Sequence, residues 1–377
     1  MRARPRARPM SRRGAVPRGF DSERTRDRAP IYRATLDIDL LSGFGFSCIP
    51  GCGLCCFTSP RLAPGDETPL VAAHPEIKLA THGAERCIVA RPRGGACQFL
   101  SGTRCEAHPV RPAPCREFPV SVHVGTRLQA TVVLSCPGVP VEPLIARSVP
   151  GEGVASVGFH PELESVRARI SREAGRRIEE ATRRRRRILR ELDAEGRWVD
   201  EERVRTHLGT KRLAPSPAEY APEDPPFGQD DLELLPMYYD QRSGPVALAK
   251  GLGGWEAREL SAEGGYEAIG VVAPPDRRPV ASEDAEALLE AYLRYVLARD
   301  SFLAAVHLEL AQGREGSVME AALEDLHAVG SLVLARGSAR AKLRGNSGVS
   351  LGRDDIERGI RATDLDWLDR PTWGSRL

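Results

Sequence analysis

The chain has 377 residues, of which 41% are apolar and 28% charged, and a formal net charge of +2. That composition is of ordinary soluble type and excludes a chain disordered throughout, while the length exceeds the roughly 250 to 300 residues at which one core stops growing, so two or three domains are expected. Only four lysines (Lys78, Lys211, Lys250, Lys342) stand among 54 basic side chains, a bias that reads as GC-rich codon usage ahead of adaptation to heat and says little about function.

Residues 1–30 hold ten arginines, no lysine and three acids, Asp21, Glu23 and Asp27. Such a segment reads as a solvated, disordered tail. Arg12-Arg13 is not followed by an apolar run, so neither a secretory nor a twin-arginine signal is expected. The least charged apolar stretch elsewhere, Leu326 to Ala335, is far shorter than the roughly 20 residues a membrane span needs. A cytoplasmic protein with no membrane segment is expected.

Residues 31–150 form a cysteine-bearing unit, rich in Pro and Gly. All nine cysteines lie here: Cys48, Cys52, Cys55, Cys56, Cys87, Cys97, Cys105, Cys115 and Cys136. In a chain without an export signal, such density points to chelation rather than disulfides. Thiolates suit soft or borderline ions, so zinc or an iron-sulfur cluster is expected over magnesium, calcium or manganese. Bound metal would also supply folding free energy to a segment with little core of its own. In an extended backbone, Cys55 and Cys56 point to opposite faces, which favours service to two ligand sets.

Phe118, Val120, Val122 and Val124 recur at alternate positions, as do Leu128, Ala130, Val132 and Leu134, with Gly125-Thr126-Arg127 between them. This is a hairpin pattern. A two-residue Gly-Thr turn pairs residue i with 251 minus i; apolar alternation prefers 252 minus i, with Val124 facing Leu128. Either register brings Cys115 and Cys136 to the open end of the hairpin, so these two are expected to share a metal site.

Beyond Pro161, Leu163, Val166, Ile170, Ala174, Ile178, Ala181, Ile188 and Leu192 recur at three- and four-residue steps, predicting a long amphipathic helix over 161–197. Its Arg183 to Arg187 run invites a nucleic-acid reading. Without interleaved aromatics, and with Glu173, Glu179, Glu180, Glu191 and Asp193 on the same helix, a solvated face is preferred. Residues 208–230 hold five prolines and read as a linker or surface loop. Residues 231–377 read as a mainly helical C-terminal domain, with strand candidates Pro245 to Lys250 and Ala268 to Ala273. Ser282 is expected to cap a helix to about Ala298 and Ser301 one to about Gly313. Ser317 with Glu320 forms a capping box for a helix ending near Gly337, and a last helix spans about Asp354 to Thr363. The fold class expected is α+β: a small irregular metal-stapled cysteine domain with one β-hairpin, a long helix, then a mainly helical domain.

Cys48-x3-Cys52-x2-Cys55 has the spacing of a radical-SAM cluster motif. Leu54 stands where that family has an aromatic residue, Cys56 follows at once, and no strand-helix series of barrel type comes after. A better match is the longer pattern: Cys-x3-Cys-x2-Cys-Cys, then Cys97-Gln98-Phe99-Leu100, then Cys105-Glu106-Ala107-His108-x2-Arg111-Pro112-x2-Cys115-Arg116-Glu117-Phe118-Pro119, then Cys136-Pro137-Gly138. It resembles the YkgJ-type cysteine-cluster proteins, which have a zinc- or iron-chelating domain with eight cysteines. The resemblance implies Cys48, Cys52, Cys55, Cys56, Cys97, Cys105, Cys115 and Cys136 as metal ligands and leaves Cys87 to pack as a small apolar residue. His108 replaces the family's tyrosine and is expected to fill its place in packing. Arg104, Arg111 and Arg116 are positioned to offset thiolate charge.

The C-terminal region holds no Gly-rich phosphate loop, no His-Glu-x-x-His and no nucleophile elbow. Tyr238, Tyr239, Asp240 and Trp255 read as core rather than as a pocket, and Asp300 as a helix cap. A cysteine cluster ahead of a helical region is loosely similar to flagellin lysine N-methylases, without a matched catalytic motif. Three readings stay open: an iron-sulfur protein with an electron-transfer partner, placed ahead of zinc; a zinc-stapled module presenting the helical region to a partner protein; and a cluster-dependent enzyme such as a protein methylase or a radical-SAM-like protein.

Overall fold

The computed structural model describes residues 36, 37, 40, 46–49, 52–57, 60–63, 65–82, 85–93, 95–102, 104–141, 162–222, 237–240, 244–251, 254–368 and 370–376. The Arg-rich tail, residues 1–30, and residues 223–230 of the expected linker lie outside them.

The alternating segments pair as a hairpin, and both faces of its second strand are buried, Gln129 and Thr131 included. β1 (Leu36–Asp37) runs parallel to β7 (Leu128–Val132), β7 antiparallel to β6 (Val120–Val124), and the sheet closes on β14 (Ser375–Arg376) from the far end of the chain. Val124 sits opposite Leu128 and Val120 opposite Val132, the register that apolar alternation favours. Ahead of this sheet come α1 (Glu67–Ala73), the paired strands β2 (Leu79–His82) and β3 (Glu85–Ile88), the short pair β4 (Leu100–Ser101) and β5 (Arg104–Cys105), and α2 (Ala113–Glu117).

The long helix is α3 (Glu162–Ala194), with Ala181, Ile188 and Leu192 buried. It stops before Gly196, whose φ of 69° is left-handed and suits a residue without a side chain. In the Arg183 to Arg187 run, Arg183 pairs with Glu179 at 3.3 Å, while Arg185 turns in to Glu201 of α4 (Glu201–Gly209) at 2.8 Å. A second antiparallel sheet, in the order β11-β10-β9-β8, comprises β8 (Met237–Asp240), β9 (Gly244–Gly251), β10 (Gly254–Leu260) and β11 (Tyr266–Val272). The central β9 and β10 bury Val246, Leu248, Trp255 and Ala257, and this sheet packs on the last helices through Ala335, Ala339 and Ala362.

Four helices follow: α5 (Glu283–Ala298), α6 (Asp300–Ala311), α7 (Val318–Leu343) and α8 (Arg353–Leu368). The short parallel pair β12 (Val280–Ala281) and β13 (Ser350–Leu351) ties the start of α5 to the start of α8. Ser282 is the N-cap residue of α5, but its hydroxyl bonds the Asp284 carboxylate at 2.5 Å rather than a backbone N–H. The expected Ser301 cap is corrected: α6 begins two residues earlier than such a cap implies, Arg299 is its N-cap residue, and Asp300 turns its carboxylate to Arg127 (2.7 Å) and Arg205 (2.9 Å). The Ser317–Glu320 capping box is present. Its helix does not end at Gly337 but continues to Leu343, because Gly337 is a contact residue: a Cβ there would lie 2.7 Å from the Asp355 carbonyl. Gly359 on α8 plays the reciprocal part, since a Cβ would overlap the Val333 carbonyl.

The result is a mixed α+β fold with eight helices among the described residues. Residues 33–377 cluster as one compact unit, and its largest core joins Val122, Leu128, Val132 and Leu134 of the hairpin to Leu288, Tyr292, Val329 and Ile360 of the helices. At that junction Asp364 accepts from the Leu134 N–H (2.7 Å) and the Tyr292 hydroxyl (3.1 Å) and pairs with Arg299 at 2.7 Å. Among the described residues, no helix is long and apolar enough to cross a membrane.

Candidate metal centre

The first four cysteines are placed by a tight turn. Gly53, at a left-handed φ of 61°, leads into a 3-10 turn, Leu54–Phe57, whose two apolar ends are buried against Ala247, Ala249 and Leu260 of the second sheet. With both ends anchored, Cys55 is left exposed and Cys56 half-buried between them. The expectation of opposite faces is thereby corrected. The backbone is coiled rather than extended, and the Cys56 thiol donates a hydrogen bond to the Cys55 sulfur.

Backbone contacts bring the later cysteines to this turn. The Cys97 N–H donates to the Cys56 carbonyl at 2.6 Å. Arg91 holds the Cys97 loop from behind, donating to the carbonyls of Cys97 (3.1 Å), Gln98 (3.2 Å) and Leu100 (2.8 Å). Cys105 lies on β5 opposite Leu100. Cys115 rides on α2, where Asp66 accepts from the Ala113 N–H at 2.9 Å and supplies the carboxylate that a helix start favours. Cys136 follows β7, and its turn meets the Cys48 segment through Ser47 N–H donating to the Gly138 carbonyl at 3.0 Å. Gly138 is required at that approach because a Cβ would overlap the Ser47 carbonyl.

The electrostatics define one neighbourhood. The charge of Cys55 acts on Cys48, Cys52, Cys56, Cys97, Cys105, Cys115 and Cys136 alike. Further thiol influences divide into two sets joined by Cys55. Cys52 feels Cys48 and Cys136 feels Cys52, whereas Cys56 and Cys115 both feel Cys97 and Cys105. Burial first, then neighbouring thiols, pushes Cys52 up to about 11 and Cys115 and Cys136 up to about 12. The Cys56 hydrogen bond, outweighing burial, draws Cys55 down to about 7 and raises Cys56 in turn.

Of the three arginines expected to offset thiolate charge, Arg111 does so: it favours the ionised forms of Cys48, Cys55, Cys105 and Cys115. Arg116 turns to Asp66 (3.7 Å) and to the Arg111 carbonyl, and Arg104 is exposed. Two other arginines had no signal in the sequence: Arg91, acting on Cys97, and Arg361 of α8, acting on Cys136. His108 is exposed at the start of a 3-10 turn, so the expectation that it fills a tyrosine's packing place is corrected. Cys87 is buried on β3 opposite Ala80. Tyr238 and Trp255 are core residues, and Asp240 pairs with Arg340 at 2.7 Å.

Among the described residues, no group of three or more His, Cys, Asp or Glu side chains is already closed around an ion position. The donor chemistry nonetheless fits a soft or borderline metal. Cys55, whose thiol is drawn down to about 7, interacts with seven other cysteines and with Arg111, and deprotonated sulfur is the ligand such metals take.

Comparison with known families matches residues 47–136 to the CxxCxxCC model, described as a "Putative zinc- or iron-chelating domain". The match ends on Cys136 and includes all nine cysteines. No curated protein and no solved structure matches the chain. Residues 47–136 are thus similar to a domain described as chelating zinc or iron, and the helices from α3 onward lie beyond the match.

Proposed function

We propose that Cys48, Cys52, Cys55, Cys56, Cys97, Cys105, Cys115 and Cys136 ligate a metal centre, an iron-sulfur cluster ahead of zinc. The observation that carries this reading is the match of residues 47–136, which hold all eight, to a chelating domain, together with the backbone contacts that bring the Cys97 loop to Cys56 and the Cys136 turn to the Cys48 segment. A thiolate-held iron-sulfur cluster, when bound, supplies one-electron chemistry. The protein's part is to hold the sulfurs close, to lower the cost of their charge with Arg111, and to leave Cys48 and Cys55 at the surface, where an electron-transfer partner would approach.

The zinc reading is favoured by the division of neighbours. Cys48, Cys52, Cys55 and Cys136 make one set of four and Cys56, Cys97, Cys105 and Cys115 another, the number two tetrahedral sites require. In this reading Cys115 and Cys136 would serve different sites, against the expectation that they share one; both neighbour Cys55, and their other thiol neighbours differ. In this reading the metal staples the cysteine turns to the helical region, which a partner protein would engage.

Anaerobic purification with metal and sulfide analysis and an absorption spectrum separates the readings. A brown protein with broad visible absorption and acid-labile sulfide supports the cluster. A colourless chain with about two zinc ions supports the staple. A chain that takes up neither metal contradicts both.

A further inference from the structure

Arg361 belongs to α8, beyond the matched chelating segment, yet its guanidinium is spent on the turn that carries Cys136. Nη1 donates to the carbonyls of Leu134 (3.2 Å) and Cys136 (2.7 Å), and Nη2 to that of Val139 (2.8 Å). Glu357, one helical turn earlier, accepts from Nε (3.1 Å) and Nη2 (2.7 Å), which fixes the fork's orientation. Two neighbours on the same helix grip the same segment: Asp364 accepts from the Leu134 N–H at 2.7 Å, and the Leu365 N–H donates to the Ser135 hydroxyl at 3.1 Å. On its other side the turn meets the Cys48 segment at Gly138. A planar, always-charged fork can hold three carbonyls at once; a lysine ammonium on a flexible stem does not reproduce that geometry.

We propose that Arg361 is a positioning residue of the metal centre, holding the Cys136 turn from α8 so that metal occupancy is coupled to the packing of the C-terminal helices. The inference rests on the reading that the eight thiols bind metal. A ligand carried on a fixed turn loses little freedom when it binds. Outer groups that orient ligands in this way typically contribute about 10- to 100-fold in metal affinity.

The test loads the full chain with cobalt(II), a spectroscopic stand-in for zinc, and follows the thiolate-to-cobalt band after addition of excess EDTA. Arg361→Gln is expected to release cobalt about 10- to 100-fold faster than the wild type. Arg361→Lys, which keeps the charge without the fork, should fall between. Glu357→Gln leaves Arg361 in place but unguided; it should accelerate release less, and it covers the case in which Arg361→Gln does not fold. Arg197→Gln is the control. Its guanidinium also grips carbonyls, those of Gly316 (2.8 Å), Leu310 (3.3 Å) and Arg314, none on a cysteine-bearing segment. That variant should lose resistance to urea while releasing cobalt at the wild-type rate. Wild-type release rates in folded Arg361→Gln and Glu357→Gln, or equal acceleration by Arg197→Gln, would overturn the proposal alone. A wild-type chain with no thiolate-to-cobalt band would overturn the zinc reading and this inference with it.

Discussion

Asp364 is wholly buried and joins three elements: it accepts from the Leu134 N–H and the Tyr292 hydroxyl and pairs with Arg299, itself 2% exposed. Asp364→Ala removes the acceptor for both hydrogen bonds and strands a guanidinium in the core. A hydrogen bond to a charged group contributes roughly 1.5–3 kcal/mol, but contacts within one network do not add. The controlling cost is the unpaired buried charge, about 3–5 kcal/mol when one partner of a buried pair is removed. Against a total stability of about 5–15 kcal/mol, that is enough to leave a measurable unfolded population. Urea unfolding of the full chain, followed by tryptophan fluorescence, reads it. Adding Arg299→Met to Asp364→Ala should recover part of the loss, because the stranded charge is gone. A loss below about 1 kcal/mol for Asp364→Ala, or a double variant as unstable as the two singles summed, would refute the reasoning.

Burial, with the charges of Arg185 and Arg205 behind it, holds His307 down at about 3. An unfolded histidine titrates near 6.5, so the unfolded chain binds the extra proton. The contribution of His307 is therefore complete above about pH 6.5 and is lost as pH falls towards 3, by at most about 1.4 kcal/mol per pH unit. His307→Leu should flatten the pH dependence of the urea midpoint across that window, and an unchanged slope would count against the assignment. Gly359→Val would drive a side chain into the Val333 carbonyl across the α7–α8 contact and should cost about 1–3 kcal/mol; a variant with an unshifted urea midpoint would show that the helices are not held at that distance. Metal must displace protons from Cys52, Cys115 and Cys136, whose thiols titrate at about 11, 12 and 12. Zinc affinity in a chelator competition should therefore rise by about tenfold per pH unit for each proton displaced, whereas a flat profile would exclude these thiols as ligands.

What the sequence made legible was periodic or local. Val122, Val124, Leu128 and Ala130 announce a hairpin because their alternation sets the apolar residues on one face, and Ser317 with Glu320 announces a helix start because both partners lie within one turn. Gly337 misled because a glycine that lets two helices touch has the same letter as one that ends a helix. β10 was hidden by Arg258, a buried charge paired with Glu256 at 2.7 Å and stacked over Tyr266 at 4.1 Å, which breaks the apolar pattern expected of a central strand. The cysteine spacing announced the centre, but not the arginines around it. Arg91 and Arg361 bind backbone carbonyls, and every residue has a carbonyl, so nothing in the sequence marks the partners.

Metal content across the nine single Cys→Ser variants of the full chain, each purified anaerobically, tests the central assignment most directly. Substitution of Cys48, Cys52, Cys55, Cys56, Cys97, Cys105, Cys115 or Cys136 should lower bound metal, while Cys87→Ser should retain the wild-type complement. Loss of metal in Cys87→Ser, or full retention when any of the other eight is replaced, would contradict the assignment.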